Sequence, residues 1–387
     1  MYFLTTEDRR LLHRGLLPRA RRLDVPEDLR GWSWTRAPLE PAYPVRLGVS
    51  DVAGAYCTTA RDLYLRRVLH ARPGPSEPMK TGARLHRLVT GLMVSAKRRL
   101  YSVTDELSPE ALRGLRSEAV DASPDRRLAG YIEDCLVAEA AHVMSAQPRI
   151  GVDSLVARLI PASFDVRLDG SVLGLSRHLA ADAIAGPWPM VLELKFGALR
   201  DFHRLSTTGY ALAFEATYEV PVNLACVIGV TFEGDRVLVD RDYHLVDADL
   251  RQRFVETRDE RAAMIYHESD PGLAGTHPPT CPFLADCQVT PTAARAVSPP
   301  RPQPAYPASI TPARPSTILF PGSRPLTTPQ RPPCRKPPPF RRRFRFATPR
   351  PPTAHPGKPR HPADQLCYAP PAPPPGRSQP SPRQQGD

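Results

Sequence analysis

Val191-Leu192-Glu193-Leu194-Lys195 sets a carboxylate and an ammonium two residues apart in an apolar run, with Asp182 about ten residues before it. On a strand, alternate side chains share a face, so Glu193 and Lys195 point the same way. Two carboxylates and a lysine on a twisted hairpin are what a metal-dependent nuclease needs. The carboxylates supply hard oxygen ligands for a divalent cation, and the lysine supplies positive charge beside a phosphate. The lysine stands out in this chain. Lys80, Lys97 and Lys195 are the only lysines before a proline-rich tail, and arginine is used everywhere else. Arginine stays charged and matches planar anions, whereas lysine is a compact charge whose pKa moves when buried. Most Glu-x-Lys tripeptides are solvated surface; the bracketing Val191, Leu192, Leu194 and Phe196 argue against that here.

A third ligand stands upstream. Gly82-Ala83-Arg84-Leu85-His86 falls in a helical pattern, and the small Gly82 leaves room on that helix face beside His86. A lone histidine on an apolar helix is more often core or surface, so His86 gains its weight from the other three residues. Carboxylates alone favour Mg2+, and a histidine tilts the choice toward Mn2+. A second constellation joins Cys57 to His277, Cys281 and Cys287. Soft thiolates at this spacing select zinc or an iron–sulfur cluster, which would pin the C-terminal loop onto the N-terminal half. Cys135 and Cys226 sit in apolar patterns and read as core; Cys334 and Cys367 fall in the tail.

The elements that must position these groups follow from periodicity. Helices are expected over 6–22, 50–69 (carrying Cys57), 77–101, 109–119 and 126–147, with loop over 25–48. The pattern then changes to period two. Phe164, Val166 and Leu168 lead into an Asp169-Gly170 turn and a return strand at 172–175. Strands at 179–184 and 190–196 flank the turn Gly186-Pro187-Trp188-Pro189. A helix over 204–218 precedes a hairpin of 222–232 and 236–240, and a last helix spans 247–267.

Composition divides the chain. Residues 291–387 hold sixteen Lys and Arg against two Asp and Glu; of the chain's 52 and 40, this leaves 36 and 38 before residue 291. The body is near neutral, so the basic excess does not describe a basic DNA-binding fold. The tail is expected to be disordered, with local polyproline II character. Its Phe340–Phe346 stretch offers phosphate contacts, but a solvated extension, or a GC-rich gene read out of frame, is the simpler reading. Neither a signal peptide nor a membrane span is visible, so a soluble cytoplasmic protein is expected. In that compartment cysteines serve metal or catalysis rather than disulfides.

The ordered set resembles the CRISPR-associated RecB-family nucleases, iron–sulfur exonucleases of the spacer-acquisition module. It comprises Gly82 to His86, Asp182, Glu193-Leu194-Lys195, a helix bearing Tyr210, and one upstream and several downstream cysteines. Met1-Tyr2-Phe3-Leu4-Thr5, Gly31-Trp32-Ser33-Trp34 and Tyr56-Cys57 before Arg61–Arg67 are similar to the archaeal type I-A subgroup. The resemblance implies an α/β (α+β) fold with a PD-(D/E)xK restriction-endonuclease-like core. That nuclease domain spans 1–290, comprising a helical N-terminal region over 1–150, a catalytic sheet over 151–245, and a C-terminal helix and cluster loop over 246–290; the tail is 291–387. It also implies that His86, Asp182 and Glu193 bind Mn2+ or Mg2+, that Lys195 is catalytic, and that Tyr210 faces the DNA. Cys57, Cys281 and Cys287 would ligate a [4Fe–4S] cluster. The partners implied are single-stranded DNA ends or overhangs, the CRISPR integrase and other adaptation proteins, with no membrane. Two positions depart from the family. Ser206 stands where a glutamine is usual, four residues before Tyr210, and His277 stands where a fourth cysteine is expected. Both motivate an alternative, a catalytically weak DNA-end-binding scaffold of the adaptation complex. A generic RecB-like repair nuclease is a third reading.

Overall fold

The computed structural model describes residues 3–103, 107–118, 123–186, 188–275 and 281–288. The chain divides into Met1–Pro300 and Arg301–Asp387. The second unit, with most of the Pro/Arg-rich tail, lies outside the described residues, as do His277 and Pro187.

The first expected helix is three pieces: α1 (Thr6–Leu11), a π-helical turn at Leu12–Leu16, and α2 (Leu17–Arg21). Pro18 cannot donate to the preceding turn, which favours this widening. The helix expected over 50–69 is also broken. Residues Val49–Ala53 form α3 and Arg61–Arg67 form α4, so Cys57 sits on irregular chain between them. Gly54 caps the first helix, and Ala60, at φ 58°, opens the second. The long helix α5 (Glu77–Tyr101) is continuous and buries Leu85, Val89, Leu92, Met93, Ala96 and Leu100 at helical spacing. In place of a helix over 109–119 there are two 3-10 turns, Pro109–Leu112 and Leu115–Glu118, parted by Gly114 at φ 86°. Then come α6 (Ser123–Ala146) and α7 (Val152–Leu159).

Five strands follow: β1 (Ala162–Leu168), β2 (Leu179–Ala185), β3 (Met190–Phe196), β4 (Leu224–Glu233) and β5 (Arg236–Leu245). They form one sheet in that order, antiparallel except for the parallel β3–β4 pair. A parallel pair needs a crossover, and α8 (His203–Tyr218) supplies it. Residues 172–175 do not return as a strand. Leu47 takes the backbone groups there, donating to Gly174 O at 3.0 Å and accepting from Ser176 N at 2.8 Å, and Ser171–Leu173 coil into a 3-10 turn. The last helices are α9 (Ala248–Tyr266) and α10 (Leu284–Gln288). The molecule is thus a mixed α/β protein with a mixed five-stranded sheet. Among the described residues no helix is long and apolar enough to cross a membrane.

Both faces of the sheet are covered, which explains the unbroken apolar run of β3. Leu192 and Leu194 join the core built with α5, α6 and α7, while Val191 joins the core built with α3, α8 and α9. At the centre of the second core lies a charged clamp. The fully buried Arg251 of α9 uses all five of its N–H groups. Its two terminal nitrogens reach Glu215 Oε2 at 2.7 Å and Oε1 at 2.8 Å, and the rest bind the carbonyls of Val246, Leu29 and Val222. Glu215 also accepts from Arg30 at 3.0 Å and from the backbone N–H groups of Gly31 and Val222 at 2.9 Å. Only glycine fits at position 31, since a Cβ there would lie 2.1 Å from Leu212 O. Removing one side of a fully desolvated pair strands the other charge. Glu215→Ala or Arg251→Ala should therefore cost about 3–5 kcal/mol in urea unfolding. The double replacement Glu215→Leu/Arg251→Met should lose much less than the two single losses combined.

Candidate functional site

The site forms where β2 and β3 part. Their ladder pairs Ala185 with Met190, Ile184 with Val191 and Ala183 with Leu192, then stops short of Asp182 and Glu193. The Asp182 carboxylate replaces the missing strand partner: Oδ2 accepts the Leu194 N–H at 2.8 Å. Asp182 and Glu193 thus meet across the gap. A second irregularity supports this one. On β1, Ala162 and Phe164 pack into the α5–α7 core, but Val166 and Leu168 pack into the α8–α9 core; β2 makes the same exchange between Ala183 and Ala181. The pleat reverses at Asp165, the strand position opposite Asp182. Asp165 has φ 47°, a left-handed value that is costly for a side-chain-bearing residue.

Four side chains expected to act together converge here. Lys195 Nζ donates to Glu193 Oε1 at 2.6 Å. His86 enters from α5, with Nδ1 3.7 Å from Asp182 Oδ1 and its ring edge-on to Phe196 at 5.2 Å. Glu193 is 5% exposed, and its Oε2 is buried without a hydrogen-bond partner. Burial and the neighbouring Glu193 push the Asp182 carboxyl well above the ordinary range, against the Leu194 N–H and Lys195, which act to lower it. Burial opposes the Lys195 ammonium, but the charge of Glu193, their hydrogen bond and Asp182 hold its pKa above normal. Burial, followed by Lys195, lowers the pKa of His86. From α8, Tyr210 faces the two carboxylates; burial and their charge raise its pKa, so its hydroxyl stays protonated. Ser206 lies buried one turn before it.

Three groups at this site were not among the residues the sequence singled out for chemistry. Asp165 adds a third carboxylate, whose charge reaches both Asp182 and His86. His203, at the start of α8, is buried, and its pKa falls to about 4 through burial and then Lys195. Its Nδ1 accepts the Arg200 N–H at 3.2 Å, so the neutral ring carries its proton on Nε2 and turns it toward the third group, Tyr56, whose Oη is 3.5 Å away.

The thiols lie elsewhere in the fold. Cys281 and Cys287 pack with Leu65 and Phe283, and the charges of Cys57 and Cys281 add to burial in raising the Cys287 thiol. The structure thus packs Cys281 and Cys287 together, with Cys57 within electrostatic reach of Cys287. Cys226 is buried, as read from sequence, and Cys135 is half-buried. Among the described residues no three or more His, Cys, Asp and Glu side chains stand in metal-holding geometry.

Two carboxylates crowded beside one ammonium cost stability. An acid whose folded pKa exceeds its unfolded value binds more protons when folded, so stability falls as pH rises from the ordinary carboxylate range through the raised pKa. Asp182→Asn keeps an acceptor for Leu194 N–H and removes that repulsion. In metal-free buffer it should raise the melting temperature by a few degrees, for roughly 1 kcal/mol, and flatten this region of the pH–stability curve.

Known proteins match most of the chain. The family model described as CRISPR-associated exonuclease Csa1 matches residues 1–290. A protein of Thermoproteus tenax named CRISPR-associated exonuclease Csa1 is 33% identical over 270 residues, 68% of this chain and 92% of its own length. One of the same name from Saccharolobus solfataricus is 30% identical over 297 residues, 74% of this chain and 99% of its own. The crystal structure of SSO0001 is a more distant match, 13% identical over 47% of this chain and 87% of that one, with a TM-score of 0.19. On the strength of the match to 1–290 and of both relatives, the chain belongs to the CRISPR-associated exonuclease Csa1 family.

Proposed function

We propose that this chain is a metal-dependent DNA exonuclease with a PD-(D/E)xK, RecB-like core, trimming single-stranded ends or overhangs for CRISPR spacer acquisition. The observation that carries this reading is the orphaned, buried Glu193 Oε2 beside Asp182. A desolvated carboxylate oxygen without a donor is costly unless a cation takes it. His86, Asp182 and Glu193 would hold that cation, and their donor set suits Mn2+ or Mg2+. A bound divalent ion supplies Lewis acidity toward a phosphate oxygen.

The remaining work falls to the chain's own groups. Lys195, kept cationic by Glu193, sets its charge beside the place where negative charge grows on the phosphate. Asp182 anchors β3 through the Leu194 N–H and so fixes the spacing of Glu193 and Lys195. Tyr210 keeps its proton and can donate toward the DNA. Ser206 is too short to reach as far as the usual glutamine, which points to slow turnover. End-labelled single-stranded DNA should shorten with Mn2+ or Mg2+ and stay intact in chelator. Lys195→Ala should lower the rate at least about a hundredfold in a chain that still folds, with a lower melting temperature in metal-free buffer because Glu193 loses its cation. Intact DNA under every metal condition would leave the scaffold reading, in which Asp182→Ala still supports spacer acquisition beside the integrase.

Cys57, Cys281 and Cys287 would carry a [4Fe–4S] cluster, with His277 as the fourth ligand. Their grouping in the fold and their soft donor chemistry support it. Protein purified without oxygen should be brown, and Cys57→Ala should bleach it. A colourless, zinc-loaded preparation would overturn the cluster.

A further inference from the structure

Close to Lys195 lies an aromatic group that the chemistry above does not use. Tyr56 sits on the irregular chain between α3 and α4 and is 61% exposed, unusual for a large aromatic ring bordering a cluster of buried charges. Its ring stands edge-on to Phe202 at 5.0 Å, and Phe202 stands edge-on to His203 at 4.7 Å. The His203 Nε2 proton faces Tyr56 Oη, which leaves the tyrosine's own proton free to turn outward. Tyr56 lies within electrostatic reach of the Lys195 ammonium. Arg200 is exposed just before this group, and its charge reaches His203.

The Phe202 ring and the His203 hydrogen bond fix the orientation of this exposed ring at the edge of the site. A single perpendicular ring contact takes at most one face of Tyr56, and its exposure leaves the other open. Beside a site that handles a phosphodiester, the flat partner available is a nucleobase. From this geometry we infer that Tyr56, supported by Phe202 and His203, is a stacking platform for an unpaired DNA base next to the phosphate held at Lys195. Arg200 is placed to meet the neighbouring phosphate. Every base has a π-face, so such a platform accepts any sequence but needs a base free of its helix. It selects frayed or single-stranded ends over blunt duplex. This rests on the DNA-nuclease reading above and names the substrate feature that its lysine side reads.

The test is binding by the full chain in chelator, where no cleavage can occur, to a fluorescent single-stranded oligonucleotide and to a blunt duplex. Tyr56 is exposed, so its replacement leaves the core intact. Tyr56→Ala should weaken single-strand binding by about tenfold and leave duplex binding nearly unchanged. Tyr56→Trp should restore it. An abasic residue at the terminal positions should weaken the wild-type chain to a similar extent and Tyr56→Ala no further. If the wild-type chain cuts DNA but Tyr56→Ala binds every oligonucleotide as tightly, the platform is wrong and the nuclease reading survives. If the wild-type chain neither binds nor cuts DNA, both fall.

Discussion

A carboxylate with no exposed surface stays in place only if every lone pair is answered, and Glu215 meets that condition with five donors. Arg251 supplies two, and Arg30, Gly31 and Val222 supply the others. These donors come from the 29–31 turn, from the approach to β4, and from α9. The clamp therefore fixes α8 against three separate stretches of the chain. This matters because α8 is the crossover between the two parallel strands and carries His203, Ser206 and Tyr210 along its length. Gly209 makes the fit tighter still, since a Cβ there would lie 2.6 Å from the Phe254 ring of α9. A helix held this firmly can set the distance between its own side chains and β3.

The site inverts that logic. At Glu215 charge is matched; around Lys195 it is not. Asp182 and Glu193 bring two potential negative charges, Asp165 adds a third at the margin, and one ammonium faces them. A fold concerned with stability alone would pair these groups or replace them with apolar ones. Here the strands are parted to accommodate them, one ladder is cut short, and a residue is held at a left-handed φ. Local strain of this kind accumulates where the geometry serves a reaction.

What the sequence made legible was periodic or local. Glu193 and Lys195 share a face because strands alternate, and Asp182 could be placed because a short turn separates its strand from theirs. His86 was harder, since its helix shows only that it sits at a boundary; its meeting with Asp182 is a tertiary fact. Asp165 looked like any polar position of an alternating strand, and only the register of β1 on β2 sets it opposite Asp182. Arg251 and Glu215 fall on the helices expected over 247–267 and 204–218, where no local pattern singles them out. Nothing local shows that residues 36 apart close on each other in the core. Cys57 was assigned to a continuous helix because apolar spacing runs on through 54–60, while Gly54 and the left-handed Ala60 break it. Periodicity finds faces; it does not find the places where a chain leaves its ideal form.

Arg61 is nearly buried, and it donates to Asp270 at 2.9 Å and to the Cys287 carbonyl at 3.4 Å, 226 residues further along. During synthesis this guanidinium emerges early and has nothing to bind until almost the whole body has left the ribosome. Arg66 and Arg67 of α4 pair with the nearby Asp51, so only the side of the helix that carries Arg61 waits for the last few dozen residues of the body to arrive. Until then the Arg61 guanidinium is held by water, and its burial against Asp270 and the Cys287 carbonyl is among the last steps that join the two ends of the body.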